Sequence, residues 1–352
     1  GRWLTVAVDD DRSPYVEANN RGKRSVALDL RTPGGKRALF KLVEKADVLI
    51  HNFVPGTAEA WGIDYEDFLD INPQLVYAAG STFGPEGPNS RREGADMVGQ
   101  AEGGIVSVTG HDDGHPTIVG SVISDHLGAQ NIITGILAAL LHRERTGAGQ
   151  RIDVSLIGSA IYAQSSEMTY TMLCGKAPGR PNNNHGILRG LVHRCHTSDG
   201  YIYLLGVQEH LWNNFARCIG REDLIDDSRF ATLVMEPQNL QILRGILDEI
   251  FPTRTTQEWE EQLQKWDQRY GRVKTYDEVV TDETNLVNGY VVEVEHPEYG
   301  AISVVGNPIR MSATPTEIAV VAPTLGQHTE EVLLEVGFTW EDIEQLRADG
   351  AY

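Results

Sequence analysis

The pattern of the chain predicts an α/β fold, a parallel sheet with crossover helices, followed by a smaller α+β unit. Three observations carry this expectation. In the first half, short apolar runs alternate with helix-period stretches at the spacing of strand–helix–strand units. In the second half, two alternating runs flank His296-Pro-Glu-Tyr-Gly300, a hairpin-like pair. Between the halves, Lys176 to Gly190 is rich in Pro, Gly and Asn, which marks a linker and a candidate mobile loop.

The elements follow in order. Ser25 to Leu30 alternates like a strand. Thr32-Pro-Gly-Gly35 then opens a helix from Lys36 to Lys45, with Ala38, Leu39, Leu42 and Val43 on its apolar positions. Ala46 to Ile50 reads as a buried strand and Trp61 to Leu69 as a helix. Leu75 to Ala79 is the next strand. In open parallel sheets ligands sit beyond the C-terminal strand ends, so Asn52, Phe53 and Ser81 to Gly84 are site candidates by position. Gly94 to Gly104 reads as a helix start and turn. The longest helix predicted runs from His126 to Arg145, with Gly147-Ala-Gly149 as its C-terminal cap and Arg143 and Arg145 in the last turn. A strand, Arg151 to Leu156, leads to a helix from Gly158 to Met172. Beyond the linker come a strand at Gly200 to Leu205 and helices at Glu209 to Ile219, Ile242 to Phe251 and Thr256 to Trp266. Tyr290 to Glu295 and Ile302 to Val305 form the hairpin, and Lys274 to Thr284 belongs with the smaller unit.

Length and composition narrow the function classes. A chain of 352 residues suits two domains and can bury a substantial core. With 50 acidic against 30 basic residues, the formal net charge is −20, which argues against nucleic acid or an anionic membrane as the main partner. A local Arg or Lys can still hold an anionic ligand. Cys174, Cys195 and Cys218 are too few for a disulfide framework, so a cytoplasmic location is expected. No apolar run reaches the ~18 residues of a membrane span. Gly1 to Asp10 has neither an initiator Met nor a signal-peptide layout and reads like the middle of a domain, so a longer native chain is expected.

Most standard chemical motifs are absent. No G-x-G-x-x-G follows a strand, no phosphate-binding lysine loop occurs, and no G-x-S-x-G elbow is present. His193, Cys195 and His196 lie close together but lack further ligands at metal-binding spacing, so no metal is expected. Ser81 has no evident partner His. The chemistry therefore rests on carboxylates, chiefly Asp96 and Asp125. Asp125 stands at the start of the longest helix, where Asp is a preferred N-cap and the dipole favours its charged form. Such a carboxylate can attack an acyl carbonyl and carry a covalent intermediate.

Several segments, in order across nearly the whole chain, carry a family resemblance. They are Asn20 to Ser25 with Leu28-Asp-Leu-Arg-Thr-Pro33; Ala46-Asp-Val-Leu-Ile-His-Asn-Phe53 with Pro55-Gly56; Gly84-Pro-Glu-Gly-Pro88; Val119 to Asp125; Gly135 to Gly147; and Ala322 to Thr329. Together they resemble the family III CoA-transferases, the group that includes formyl-CoA:oxalate and carnitine CoA-transferases and the acyl-CoA racemases. The resemblance implies a large parallel-sheet, Rossmann-like CoA-binding domain at 1–190 lacking part of its N-terminal unit. It further implies a small α+β domain at 191–310, and a segment at 311–352 returning to the large one. It implies an interlocked homodimer, with a heteromer containing a related subunit as the alternative.

By the same resemblance Asp125 is the catalytic aspartate. An acyl-CoA donates, a carboxylic acid accepts, and coenzyme A passes through an aspartyl anhydride and an aspartyl-CoA thioester. CoA contacts map onto Leu28, Arg31, Asn52, Phe53 and Val54, and onto Glu93, Gly94, Ala95 and Asp96. Departures bear on specificity. Ala60 stands where some members carry a basic CoA contact. Pro181-Asn-Asn-Asn-His185-Gly186 replaces a glycine-rich loop, and Gln268 to Gly271 replaces a Gly-Val-Pro turn, so an oxalate-type acceptor is not inherited. Racemases of the family resemble one another in a His-Asp pair. Here Ala95-Asp96 stands in its place, with His126 as a substitute base, so transfer is favoured over proton exchange. Tyr170, Asn182, Asn183, Asn184 and His185 are specificity candidates. Arg180, Arg189 and Arg194 read as a solvated basic stretch rather than a dicarboxylate site.

Overall fold

The computed structural model describes residues 13–180, 182, 184–188, 190–230, 234–297, 299–319 and 321–352. The expectations for Gly1 to Asp10, Pro181, Asn183 and Arg189 fall outside those residues. The chain is a mixed α/β structure built on a parallel sheet.

The first described helix, α1 (Pro14–Asn20), starts at Ser13, whose hydroxyl accepts from the Val16 N–H at 3.3 Å. Residues 25–30 do not form the expected strand. Their amides and carbonyls go to the C-terminal segment instead: Ala27 N–H to Thr329 Oγ1 at 3.0 Å, His328 N–H to the Ser25 carbonyl at 2.9 Å, and Asp29 N–H to the Ala351 carbonyl at 2.7 Å. These partners are caps and turns, so no ladder propagates. Helix α2 (Pro33–Val43) follows, with Pro at its first position and Thr32 accepting from the Gly35 N–H at 3.0 Å.

Strand β1 (Val48–His51) leads to α3 (Thr57–Trp61) and α4 (Tyr65–Phe68). The single helix expected over 61–69 is broken because Gly62 takes a left-handed φ of +66° and Asp64 opens a new helix with a capping box to Asp67. Strand β2 (Val76–Ser81) precedes α5 (Asp96–Glu102), α6 (Ile105–Val108) and α7 (Ile123–Thr146). Gly147 ends α7 at φ +76°, with Arg143 and Arg145 in the last turn, as the sequence predicts. Strand β3 (Gln150–Ser155) runs directly into α8 (Leu156–Ala163) and then α9 (Ser165–Cys174). The break between them, inside the helix expected over 158–172, lies at Gln164. Its side chain donates to the Gly103 carbonyl at 2.8 Å and fastens the turn to the α5–α6 junction.

Strands β1, β2 and β3 are parallel in that order, with His51 opposite Ala79 and Ser81 opposite Ser155. Their C-terminal ends therefore open on the same edge. Ile136 and Ala139 of α7 pack on Val76 and Ala78 from one side. Phe68, Leu75 and Tyr77 fill the other.

The second half builds an antiparallel sheet from β4 (Val192–His196), β5 (Tyr201–Leu205) and a short strand, β6 (Tyr270–Arg272), in that order. Helices α10 (Trp212–Cys218), α11 (Pro237–Ile250) and α12 (Thr256–Lys265) cover it. Leu204, Trp212, Leu243, Leu247 and Trp259 form a core of their own there. Helices α13 (Tyr276–Thr281) and α14 (Glu283–Val287) precede the hairpin of β7 (Val291–His296) and β8 (Gly300–Val305). The C-terminal helices α15 (Thr329–Glu335) and α16 (Trp340–Ala348) pack Leu333, Ile343 and Leu346 against Ala38 of α2.

Candidate active site

A cavity of about 320 Å³ opens at the C-terminal ends of β1, β2 and β3. Three layers of chain line it. The strand ends supply Asn52, Ser81, Thr82 and Ser155; the connection before α5 supplies Gly94 and Ala95; and α7 supplies Asp125, Gly128, Ala129 and Ile132. The spacing on α7 is i, i+3, i+4, i+7, one face of a helix. Among the described residues lining the cavity, Asp125 is the one titratable side chain.

Asp125 is not the cap of its helix. The N-cap position is Val122, which offers no side-chain acceptor, and Asp125 is the third helical residue. The cap comes from another helix. The buried Asp96 carboxylate accepts the Ser124 N–H at 2.8 Å and the Asp125 N–H at 3.2 Å, two of the free donors of the first turn. The Ser124 hydroxyl lies 2.7 Å from the Asp96 carbonyl oxygen. Gln100, fully buried, donates to the same carboxylate at 2.6 Å, and its own carbonyl accepts the Val119 N–H at 2.9 Å. The loop leading to α7 and the first turn of α7 are thus tied to one buried anion. Close approach of α5 to α7 requires Gly99, because a Cβ there would stand 2.6 Å from Ser124 Oγ.

The electrostatics also differ from a dipole-stabilised carboxylate. Burial pushes the Asp125 carboxyl above its ordinary value, the Asp96 charge pushes it further, and His126 opposes them. Desolvation and the neighbouring anion outweigh the helix end because Asp96 already occupies the amides through which that end would act. An only partly hydrated, more basic carboxylate is the stronger nucleophile.

The other expected contacts divide by location. Asn52, Gly94 and Ala95 share the cavity with Asp125. Phe53 and Val54 line a neighbouring recess of about 20 Å³ under the end of β1, together with His51 and Arg151. Asp96 stands behind Asp125 as its support. Glu93 is exposed. Leu28 packs against the α15–α16 core, and Arg31 forms a bidentate pair with Asp29 at 2.9 and 2.7 Å. Neither borders the Asp125 cavity.

Among the specificity candidates, Asn182 Oδ1 accepts the Asp112 N–H at 2.7 Å, Arg180 donates to the Asp112 carbonyl at 3.1 Å, and His185 lies 3.6 Å from Glu167. Tyr170 and Asn184, like these, do not border the cavity. Arg194 lies over the Tyr201 ring at 5.0 Å. Ser81 Oγ accepts the Gly84 N–H at 3.0 Å and shapes the turn after β2. His193 and Cys195 point into the core from β4, while His196 points out, and His193 Nε2 contacts Asp248 at 2.7 Å. Strand alternation therefore separates this trio. No group of three or more His, Cys, Asp or Glu side chains is placed to hold a metal ion among the described residues. Sequence reasoning missed Gln100, Ser124, Gly128 and Ile132. The last two carry a legible signal, the helical spacing from Asp125; the first two carry none.

The chain matches the profile described as "CoA-transferase family III" over residues 1–329. It is 31% identical to formyl-CoA:oxalate CoA-transferase of Streptomyces coelicolor, over 97% of this chain and 87% of that one. It is also 31% identical to succinyl-CoA:glutarate CoA-transferase of Homo sapiens, over 92% and 74%. A CAIB/BAIF family protein from Brucella suis superposes with a TM-score of 0.83 at 29% identity, covering 95% of this chain and 88% of that one.

Proposed function

The chain belongs to CoA-transferase family III, and from that premise we propose that it exchanges CoA between an acyl-CoA thioester and a carboxylic acid through Asp125. The observation that carries the reading is the position of Asp125 as the one titratable group among the described residues of a cavity at the parallel strand ends. Asp125 attacks the donor thioester carbonyl; a C–O bond forms, the C–S bond breaks, and CoA thiolate leaves behind a mixed anhydride. The thiolate attacks the aspartyl carbonyl of that anhydride, and the donor departs as a carboxylate. The acceptor carboxylate then attacks the aspartyl-CoA thioester and regenerates thiolate and anhydride. Thiolate attack on the acceptor acyl carbonyl yields the new acyl-CoA and restores Asp125. Each step conserves an activated acyl bond, so no external energy source enters. Asn52, Thr82 and Ser155 supply neutral hydrogen-bond donors along the walls.

Geometry supports transfer over racemisation. Ala95 removes the histidine that would precede Asp96. His126 is exposed, and consecutive helical residues do not face each other, so it does not share the cavity with Asp125. The same proposal includes the CoA contacts at Asn52, Gly94 and Ala95, a homodimer, and the division near residues 190 and 310. An exposed apolar stripe on α7, Ile133, Leu137 and Leu141, supports an assembly that covers it. Peptide mass spectrometry after incubation with a panel of acyl-CoAs and a hydroxylamine quench tests the function. A hydroxamate on the Asp125 peptide is expected. Solvent deuterium exchange at the α-carbon of an acyl-CoA without that adduct would overturn transfer in favour of racemisation.

A further inference from the structure

Resting on the CoA-transfer reading, we infer that Arg91 holds a phosphate of the nucleotide end of CoA. CoA is a polyanion, and a chain of net charge −20 needs a local cation to receive it. The connections that directly follow β1, β2 and β3 contain two basic residues, Arg91 and Arg92. Arg92 is committed: it pairs with Glu102 at 3.1 Å and lies over the Phe83 ring at 4.6 Å. Arg91 is exposed and makes no ion pair with the described residues.

Its guanidinium is nonetheless placed. The Nε, Cζ and Nη2 atoms stand 3.5, 3.6 and 3.6 Å from the point where a Cβ of Gly56 would be. Three near-equal distances mean that the planar group lies face-on over the turn. Among the described residues its N–H edges make no hydrogen bond, and a guanidinium edge is the group that pairs with a phosphate. Gly56 has φ +95°, a conformation that favours glycine, and the guanidinium stands at van der Waals distance from it.

The location suits the long CoA molecule. Gly56 is four residues beyond Asn52, and Arg91 is three residues before Gly94; both Asn52 and Gly94 line the Asp125 cavity. Each stretch spans at most ~14 Å, and Arg91 is not among the cavity's lining residues, so it stands near the cavity without lining it. Arg31 is less available, because Asp29 already neutralises it and is itself held down to about 2 by that contact. Arg91 also supplies the positive charge that Ala60 does not.

Calorimetric titration of the full chain with CoA, 3′-dephospho-CoA and pantetheine tests the inference. Arg91→Ala is expected to weaken CoA binding by about tenfold or more, the effect of losing one charge-assisted contact. Pantetheine affinity should be unchanged, and Arg91→Lys should recover part of the loss. A smaller effect on dephospho-CoA than on CoA would identify the 3′-phosphate; an equal effect would identify the pyrophosphate. In turnover the loss should fall on KM for acyl-CoA and leave kcat. Unchanged CoA affinity in Arg91→Ala, or an equal loss for pantetheine, would overturn the inference while leaving the transfer reading intact. Failure of the parent chain to bind CoA would sink both.

Discussion

Replacing Asp96 by alanine should loosen the start of α7 by an amount the hydrogen bonds allow us to estimate. The carboxylate accepts two backbone amides, Ser124 at 2.8 Å and Asp125 at 3.2 Å, and a side-chain amide, Gln100 at 2.6 Å. The Ser124 hydroxyl keeps the Asp96 carbonyl as its acceptor, and Gln100 keeps the Ser121 carbonyl at 3.1 Å, so those two are not orphaned. The two backbone amides are. Losing an N-cap costs about 1 kcal/mol, and a buried unsatisfied donor about 1–3 kcal/mol. Together the two contributions come to roughly 2–4 kcal/mol. At 1.4 kcal/mol per factor of ten, amide exchange over residues 123–126 should accelerate roughly 30- to 700-fold. Hydrogen-exchange mass spectrometry of the peptide covering the start of α7 reads this directly. Asparagine at position 96 is not a neutral substitute, since the Gln100 amide is oriented by Val119 and its N–H would meet another donor. Unchanged exchange at the start of α7 in Asp96→Ala would refute the trans-cap argument. Removing the Asp96 charge should also lower the Asp125 pKa and move the acid limb of covalent loading to lower pH; an unmoved limb would show that burial alone sets it.

Further outcomes follow from the same structure. Asp125→Ala should abolish the hydroxamate adduct and lower kcat by at least ~10³-fold, as measured by steady-state transfer between two acids. Because the Asp125 pKa is raised on folding, the native chain holds a proton that the unfolded chain releases between the ordinary Asp value of ~3.9 and the raised value. Stability is therefore lost as pH rises through that window, so Asp125→Asn should melt higher than the parent at pH 7, with the gap closing below about pH 4. Thermal melts at the two pH values check the sign, and a lower melting point for the variant at pH 7 would contradict it. Gly99→Ala places a Cβ 2.6 Å from Ser124 Oγ and 3.0 Å from Leu156 Cβ, so α5 and α7 must separate. A loss of about 1–3 kcal/mol in urea unfolding is expected, together with slower covalent loading. A thiol reagent should label Cys174 alone in the native chain, because Cys195 and Cys218 are buried and burial pushes both thiols up, Cys218 to about 12. Labelling counts with and without denaturant test this.

Local periodicity determined much of the architecture. The alternation of apolar runs and helical stretches set the parallel strands β1, β2 and β3 and the long helix α7, and Gly147 marked its end. Strand-end logic put Asn52 and Ser81 at the cavity, and the alternation of β4 already separated His193 and Cys195 from His196. These are short-range signals: a period of 2 or 3.6, a turn residue, a cap. Tertiary structure decided what lay between distant residues. Residues 25–30 alternate like a strand, yet their hydrogen bonds go to residues some 300 positions away, and no local pattern reveals that competition. Asp125 reads from sequence as an N-cap because its identity and position fit one. The structure gives that role to Asp96, which lies on a different helix and is drawn there because a buried carboxylate and free amides satisfy each other. Burial, with the Asp96 charge beside it, raises the Asp125 pKa, and tertiary placement likewise separates Arg31, closed onto Asp29, from Arg91, beside Gly56. Sequence fixes which groups can ionise or donate; their distances and dielectric surroundings, set by packing, determine what each does.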